Sequence, residues 1–129
     1  MENKKKHFQW EWLVFGIFLL AYIVVTVFHE PWFDEAEAWQ IAKCASLKEI
    51  LFVNPHYEGH PPLWHLILRI PICLGIPYEI GLKVITGIFS SISVWLIIFK
   101  APFSKYVRYM LPFGYFIFYQ FGVISRPYC

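Results

Sequence analysis

The stretch "PPLWHLILRIPICLGIP", residues 61–77, decides the architecture, because counting it as a membrane span changes the side on which every later residue lies. As a helix, its apolar part Leu63–Ile76 would cover only about 21 Å, short of a hydrocarbon core of about 30 Å. Arg69 sits near its middle, where burial in lipid costs about 2.5–3.5 kcal/mol. Pro71 inside a helix costs roughly another 3 kcal/mol, and His65 adds a polar group. The segment therefore reads as a short helix lying along the outer interface or dipping into it, with Arg69 reaching toward headgroups.

On both sides the chain is more apolar than a soluble domain of its size, at 58% hydrophobic and 21% aromatic residues. Trp12–Phe28 carries no charge and would span about 25 Å as a helix, with Trp10 and Trp32 placed for the two interfaces. The basic residues Lys4, Lys5 and Lys6 precede it as in a signal peptide. No small-x-small cleavage site comes before His29, which points to a retained anchor. Ile80–Phe99, interrupted by Lys83 near its start, and Tyr109–Ile124, with Pro112 in its first turn, read as two further spans. Gly87 and Ser91 have the small-xxx-small spacing that allows close helix approach.

With three spans, at about 12–28, 80–99 and 109–124, Lys4, Lys5, Lys6, Lys100, Lys105 and Arg108 all fall on the cytoplasmic side. The outer loop 29–79 then holds seven acids against three bases. A four-span reading would put Lys100–Arg108 outside, against the positive-inside rule. The expected fold is thus an all-α integral membrane protein with three transmembrane helices plus external juxtamembrane or re-entrant helices; the alternative is four transmembrane helices. The N-terminus would be cytoplasmic and the loop 29–79 external. Net charge of +2 and the absence of Gly-rich phosphate loops or basic aromatic patches argue against nucleic acid. Cys44, Cys73 and Cys129 show no paired spacing and read as packing residues.

Three pieces of the external face carry candidate chemistry. In "WFDEAEAWQIAKCASLKEILF", residues 32–52, Asp34 can cap a helix with Glu37 at its third position, and Ser46 with Glu49 repeats the pattern. Capping leaves Glu35 and the flanking aromatics unexplained. In "NPHYEGHPPLWH", residues 54–65, His56, Glu58 and His60 alternate, so an extended backbone would project all three to one face. Such a set suits a divalent metal; it also suits a polar turn ahead of a Pro-Pro helix start. In "ISRPYC", residues 124–129, Arg126 and Tyr128 follow the last apolar run, either as interfacial anchors or as a fork for a lipid-linked phosphate.

In this order, "WFDEAEAW", "EGHPPLWHLIL" and "SRPY" resemble the start of a GT-C membrane glycosyltransferase. The group it looks most like is the protein O-mannosyltransferases and aminoarabinose transferases, with the bacterial relatives that use polyprenyl-phosphate sugars. The resemblance implies a glycosyltransferase of a bacterial plasma membrane, moving a sugar from a polyprenyl-phosphate donor to an acceptor on the external face. It implies Asp34 as general base, Glu35 as its support or as an acceptor-positioning group, and Glu58, His60, Arg126 and Tyr128 as substrate-binding residues. A divalent metal at Glu58 and His60 would be compatible with it. Members of the group ordinarily continue through many more spans, so the expectation is an N-terminal part, inactive without the remainder of the enzyme or a partner membrane polypeptide. The competing expectation is a small non-enzymatic membrane protein, a transporter fragment or complex subunit, whose acids cap interfacial helices.

Overall fold

The computed structural model describes residues 2–53 and 61–125, with side chains from Gln9 onward. The described elements are α1 (Glu2–Phe28), α2 (Phe33–Cys44), α3 (Leu47–Phe52), α4 (Leu63–Cys73), α5 (Tyr78–Lys100) and α6 (Lys105–Met110). A 3-10 turn at Leu111–Phe113 and a π-helix at Phe116–Val123 follow. No strand occurs among the described residues, so the protein is all-α there.

Two helices are long and apolar enough to cross a membrane, over Gln9–Phe28 and Tyr78–Lys100. They run antiparallel. The Trp12 ring lies 5.0 Å from that of Phe99 at one end, and the Tyr22 hydroxyl donates to the Lys83 carbonyl at 3.4 Å toward the other. Each helix buries a stripe at four-residue spacing: Phe18, Tyr22 and Thr26 on α1, and Leu82, Thr86, Ser90, Val94 and Ile98 on α5. The other faces are just as apolar yet exposed, Leu20 and Val27 to 66% each. A helix apolar on all sides needs an apolar surrounding, which these neighbours do not supply.

Small residues set the packing distance. A Cβ on Gly87 would stand 3.1 Å from the Tyr22 ring, and one on Gly122 would stand 3.0 Å from the Ser90 hydroxyl. The small-residue face of α5 thus receives α1 at Gly87 and the π-helix at Ser90. At the far end, Arg108 donates to the Ile98 carbonyl at 2.7 Å and pairs with Glu11 at 3.3 Å, tying α1, α5 and α6 together.

The expected third span is not one continuous α-helix. Pro112 has no N–H to extend the hydrogen bonds of α6, although Leu111 before it keeps helical backbone at φ −56° and ψ −42°. The chain closes a 3-10 turn, with the Gly114 N–H on the Leu111 carbonyl at 3.1 Å, and Gly114 is extended at ψ 143°. It then winds into the wider π-helix, which ends with the Ile124 N–H on the Tyr119 carbonyl five residues back, at 3.1 Å.

A second core lies beside the helix pair, built from Trp39 and Ala42 of α2, Trp64 and Leu68 of α4, and Leu82 of α5. Gly81 admits it: a Cβ there would meet the Trp39 ring at 2.5 Å and Pro71 at 3.2 Å. Helix α4 has the short length expected, and Pro71, within it, is buried in this contact. Arg69 differs from expectation. Its Nη2 donates to the Ala45 carbonyl at 3.1 Å, capping the C-terminal end of α2, where a cation complements the helix dipole.

Candidate functional site

The acidic stretch after α1 is held by one side chain. The N-cap of α2 is Trp32, in extended backbone, which makes Asp34 the second helical residue and Glu35 the third. The expected box of Asp34 with Glu37 is therefore displaced by two residues. The Trp32 side chain has no oxygen, so the Glu35 N–H goes to the Trp32 backbone carbonyl at 3.0 Å and only the returning half of a box forms, with Glu35 Oε2 accepting the Trp32 N–H at 2.7 Å. Farther on, Ser46 and Glu49 form the full reciprocal box, at 2.7 and 3.3 Å. The Ser46 backbone and hydroxyl hydrogen bonds hold the Glu49 carboxyl below its usual range.

Glu35 is 1% exposed, an unusual position for a carboxylate without partners. It has three. Oε2 also meets His29 Nε2 at 3.1 Å, and Oε1 accepts the Ser125 N–H at 2.6 Å, across ninety positions of sequence. A carboxylate offers only acceptor oxygens, so with Glu35 in that form His29 Nε2 is the donor of the third contact. The Thr86 hydroxyl extends the network by donating to the Ser125 hydroxyl at 2.7 Å. One carboxylate therefore joins the end of α1, the start of α2 and the end of the π-helix, and α5 reaches it through Thr86.

Asp34, its neighbour in sequence, is exposed, as are Glu30 and Glu37. The two members of the acidic pair thus occupy opposite environments, one on the surface and one enclosed. Of the flanking aromatics, Trp39 is buried in the second core, whereas Trp32 and Phe33 are exposed. Glu58, His60, Arg126 and Tyr128, together with His56, lie outside the described residues. Among the described residues no group of three or more His, Cys, Asp or Glu could hold a metal ion, and the expected metal pair falls outside that set.

His29, Thr86 and Ser125 belong to the network without having been singled out from sequence. A histidine ending an uncharged run, and a threonine inside another, were the available signals. Comparison with known protein families, with curated proteins and with solved structures gives no match for this chain.

Proposed function

We propose that this chain is a membrane-embedded glycosyltransferase module, with α1 and α5 crossing the bilayer, the segment 109–124 forming a third, broken crossing, and the loop 29–79 external. The donor is a polyprenyl-phosphate sugar. The carboxylate of Asp34 takes the proton from an acceptor hydroxyl as its oxygen attacks the anomeric carbon. The bond from that carbon to the phosphate oxygen breaks, and polyprenyl phosphate leaves with the electron pair. Arg126 would stabilise the leaving phosphate through its planar fork, and Glu58, His60 and Tyr128 would line the substrate.

The observation that carries this reading is the division of labour in the acidic pair. Glu35 has both oxygens committed to the protein's own N–H groups, so it cannot easily serve as a mobile base. Asp34 projects from the turn that Glu35 fixes and is exposed. Through Ser125, the same carboxylate anchors the backbone immediately before Arg126 in sequence. Glu35 is thus the positioning group and Asp34 the base.

The test is release of polyprenyl phosphate from synthetic donors in proteoliposomes that hold this chain together with the remainder of the enzyme or its partner membrane polypeptide. Asp34→Asn should lower turnover by about 10²–10⁴-fold with no more than the small loss of stability, about 0.3–1 kcal/mol, that the α2 dipole sets, whereas Glu35→Gln should lower both turnover and, by a larger step, unfolding temperature. Full turnover by Asp34→Asn at equal protein level would refute the assignment. Cysteines introduced at 100–108 should be labelled from the cytoplasmic side only.

A second reading is favoured by the same hub: both Glu35 oxygens are engaged by His29, Trp32 and Ser125, a bracing of helix ends that also suits a non-enzymatic membrane protein. Under it, Asp34→Asn costs about 0.3–1 kcal/mol through the α2 dipole, and no donor lipid is turned over by any variant.

A further inference from the structure

Between α1 and α5, on the side away from the π-helix, lies an open groove of about 800 Å³. Its walls are aliphatic, with Ile23 and Val27 on one side and Val84 and Ile88 on the other. Lys83 and the hydroxyl-bearing side chains of Tyr22, Thr26 and Ser91 interrupt them. Lys83 is the single charged residue among the described lining residues. Thr26 also lines the groove; it is 94% buried, taking its 6% relative exposure, and its hydroxyl has no hydrogen-bond partner.

A buried hydroxyl without a partner is unusual, because its desolvation is not offset by a bond. Here it lies in the same groove as an ammonium group. Lys83 is the sixth residue of α5, about 7.5 Å from the start of that helix, and Thr26 is two residues from the end of α1. In a bilayer that depth is the boundary between hydrocarbon and headgroups, where lysine stems lie in apolar surroundings while the charge reaches outward. The remaining groove, running down past Ser91 to Leu19 and Ile92, is lined mainly by aliphatic side chains that suit a lipid tail.

We infer that the groove between α1 and α5 is a binding site for an anionic phospholipid of the bilayer, the acyl chain lying between the helices and the phosphate held by the Lys83 ammonium and the Thr26 hydroxyl. The occupant follows from charge complementarity: one cation and the unpartnered Thr26 hydroxyl stand at the headgroup level of a mostly aliphatic slot, where the Tyr22 hydroxyl is already engaged by the Lys83 carbonyl. The inference rests on the membrane-spanning reading of these helices and not on the sugar-transfer chemistry. A bound lipid would supply the acceptor oxygen that the Thr26 hydroxyl lacks and would cover apolar wall that α1 and α5 leave open.

The experiment compares phosphatidylglycerol with phosphatidylcholine of identical chains, added to the detergent-purified protein and counted by native mass spectrometry. Phosphatidylglycerol should be retained about fivefold better, the effect of one lysine at an anionic headgroup. Lys83→Gln should abolish the preference, Lys83→Arg should keep it, and Thr26→Val should weaken retention without loss of helical circular dichroism. For the unaltered protein the preference should shrink as salt rises from about 0.01 to about 1 M, a readout independent of how any variant folds. Equal retention of the two lipids, or a preference insensitive to both salt and Lys83→Gln, overturns the site. Two other results also overturn it by assigning the groove elsewhere: cross-linking of cysteines at positions 23 and 88 between two copies, or complete displacement of phosphatidylglycerol by equimolar polyprenyl phosphate. Alkaline carbonate extraction separates the underlying reading. Protein released from membranes removes both, whereas protein retained in membranes without an anionic preference removes the lipid site alone.

Discussion

The helix pair α1 and α5 and the packed α2–α4 unit beside it use the same kinds of residue in opposite ways. In the pair, apolar side chains cover every face, and only one stripe of each helix finds a protein partner. In the second unit, helix α2 encloses Glu35, Trp39 and Ala42 at three- and four-residue spacing and turns Asp34, Glu37, Gln40 and Lys43 outward. The first pattern needs an apolar surrounding; the second makes its own core in water or at an interface. The difference shows where chemistry can reside. Polar groups on the pair are few and enclosed, Thr86 paired with Ser125 and Thr26 without a partner, while the second unit presents exposed carboxylates from a fixed frame.

The sharpest way to break this contrast is to remove the centre of the second core. Trp39→Ala should destabilise the unit by about 3–5 kcal/mol, read as a lower midpoint of thermal unfolding in micelles, with the α1–α5 contacts retained. A charge on the outward face of the pair tests the other half. Leu20→Lys removes almost no protein contact, yet should cost about 2.5–3.5 kcal/mol of membrane insertion, visible as carbonate-extractable protein; unchanged membrane retention would argue that this face is not against lipid. At the seam between the two regions, Gly81→Ala forces a methyl group into the Trp39 ring and should cost about 1–3 kcal/mol, shifting Trp39 fluorescence.

The smallest effect concerns the exposed box on α3. Glu49 has a carboxyl pKa lowered from 4.5 by its Ser46 hydrogen bonds. Its contribution is therefore complete above about 4.5, the unfolded value, and is lost as pH falls through the lower folded value. Stability followed by circular dichroism from about pH 7 down past the lower folded value should fall further in the unaltered protein than in Glu49→Gln, which has no carboxyl to titrate at this position. An identical pH dependence of stability in the two proteins would remove the role assigned to this bond.

Particular residues show how far local reasoning reached. Ser46 and Glu49 were legible because a capping box is made within four consecutive residues and competes with little else. Asp34 was assigned as a cap on the same logic and failed, since Glu35 gains more from three partners than Asp34 would gain as a cap. One of those partners lies at position 125, beyond the reach of any local pattern. Arg69 was expected at headgroups because it stands in an apolar run; the Ala45 carbonyl that receives it comes from another helix. The apolar run 109–124 suggested a span by hydropathy, which does not register how Pro112 and Gly114 divide the backbone.

The amino-acid sequence by itself determined the two long apolar helices, the short helix between them and the acidic stretch that follows the first. Each is a property of local composition and hydrogen bonding along one segment. Only the tertiary structure decided which acid is enclosed, because burial of Glu35 depends on donors from His29 and Ser125 that folding brings together. It also decided that α1 and α5 leave a groove with Lys83 and Thr26 in its wall, since a gap between helices belongs to neither helix alone.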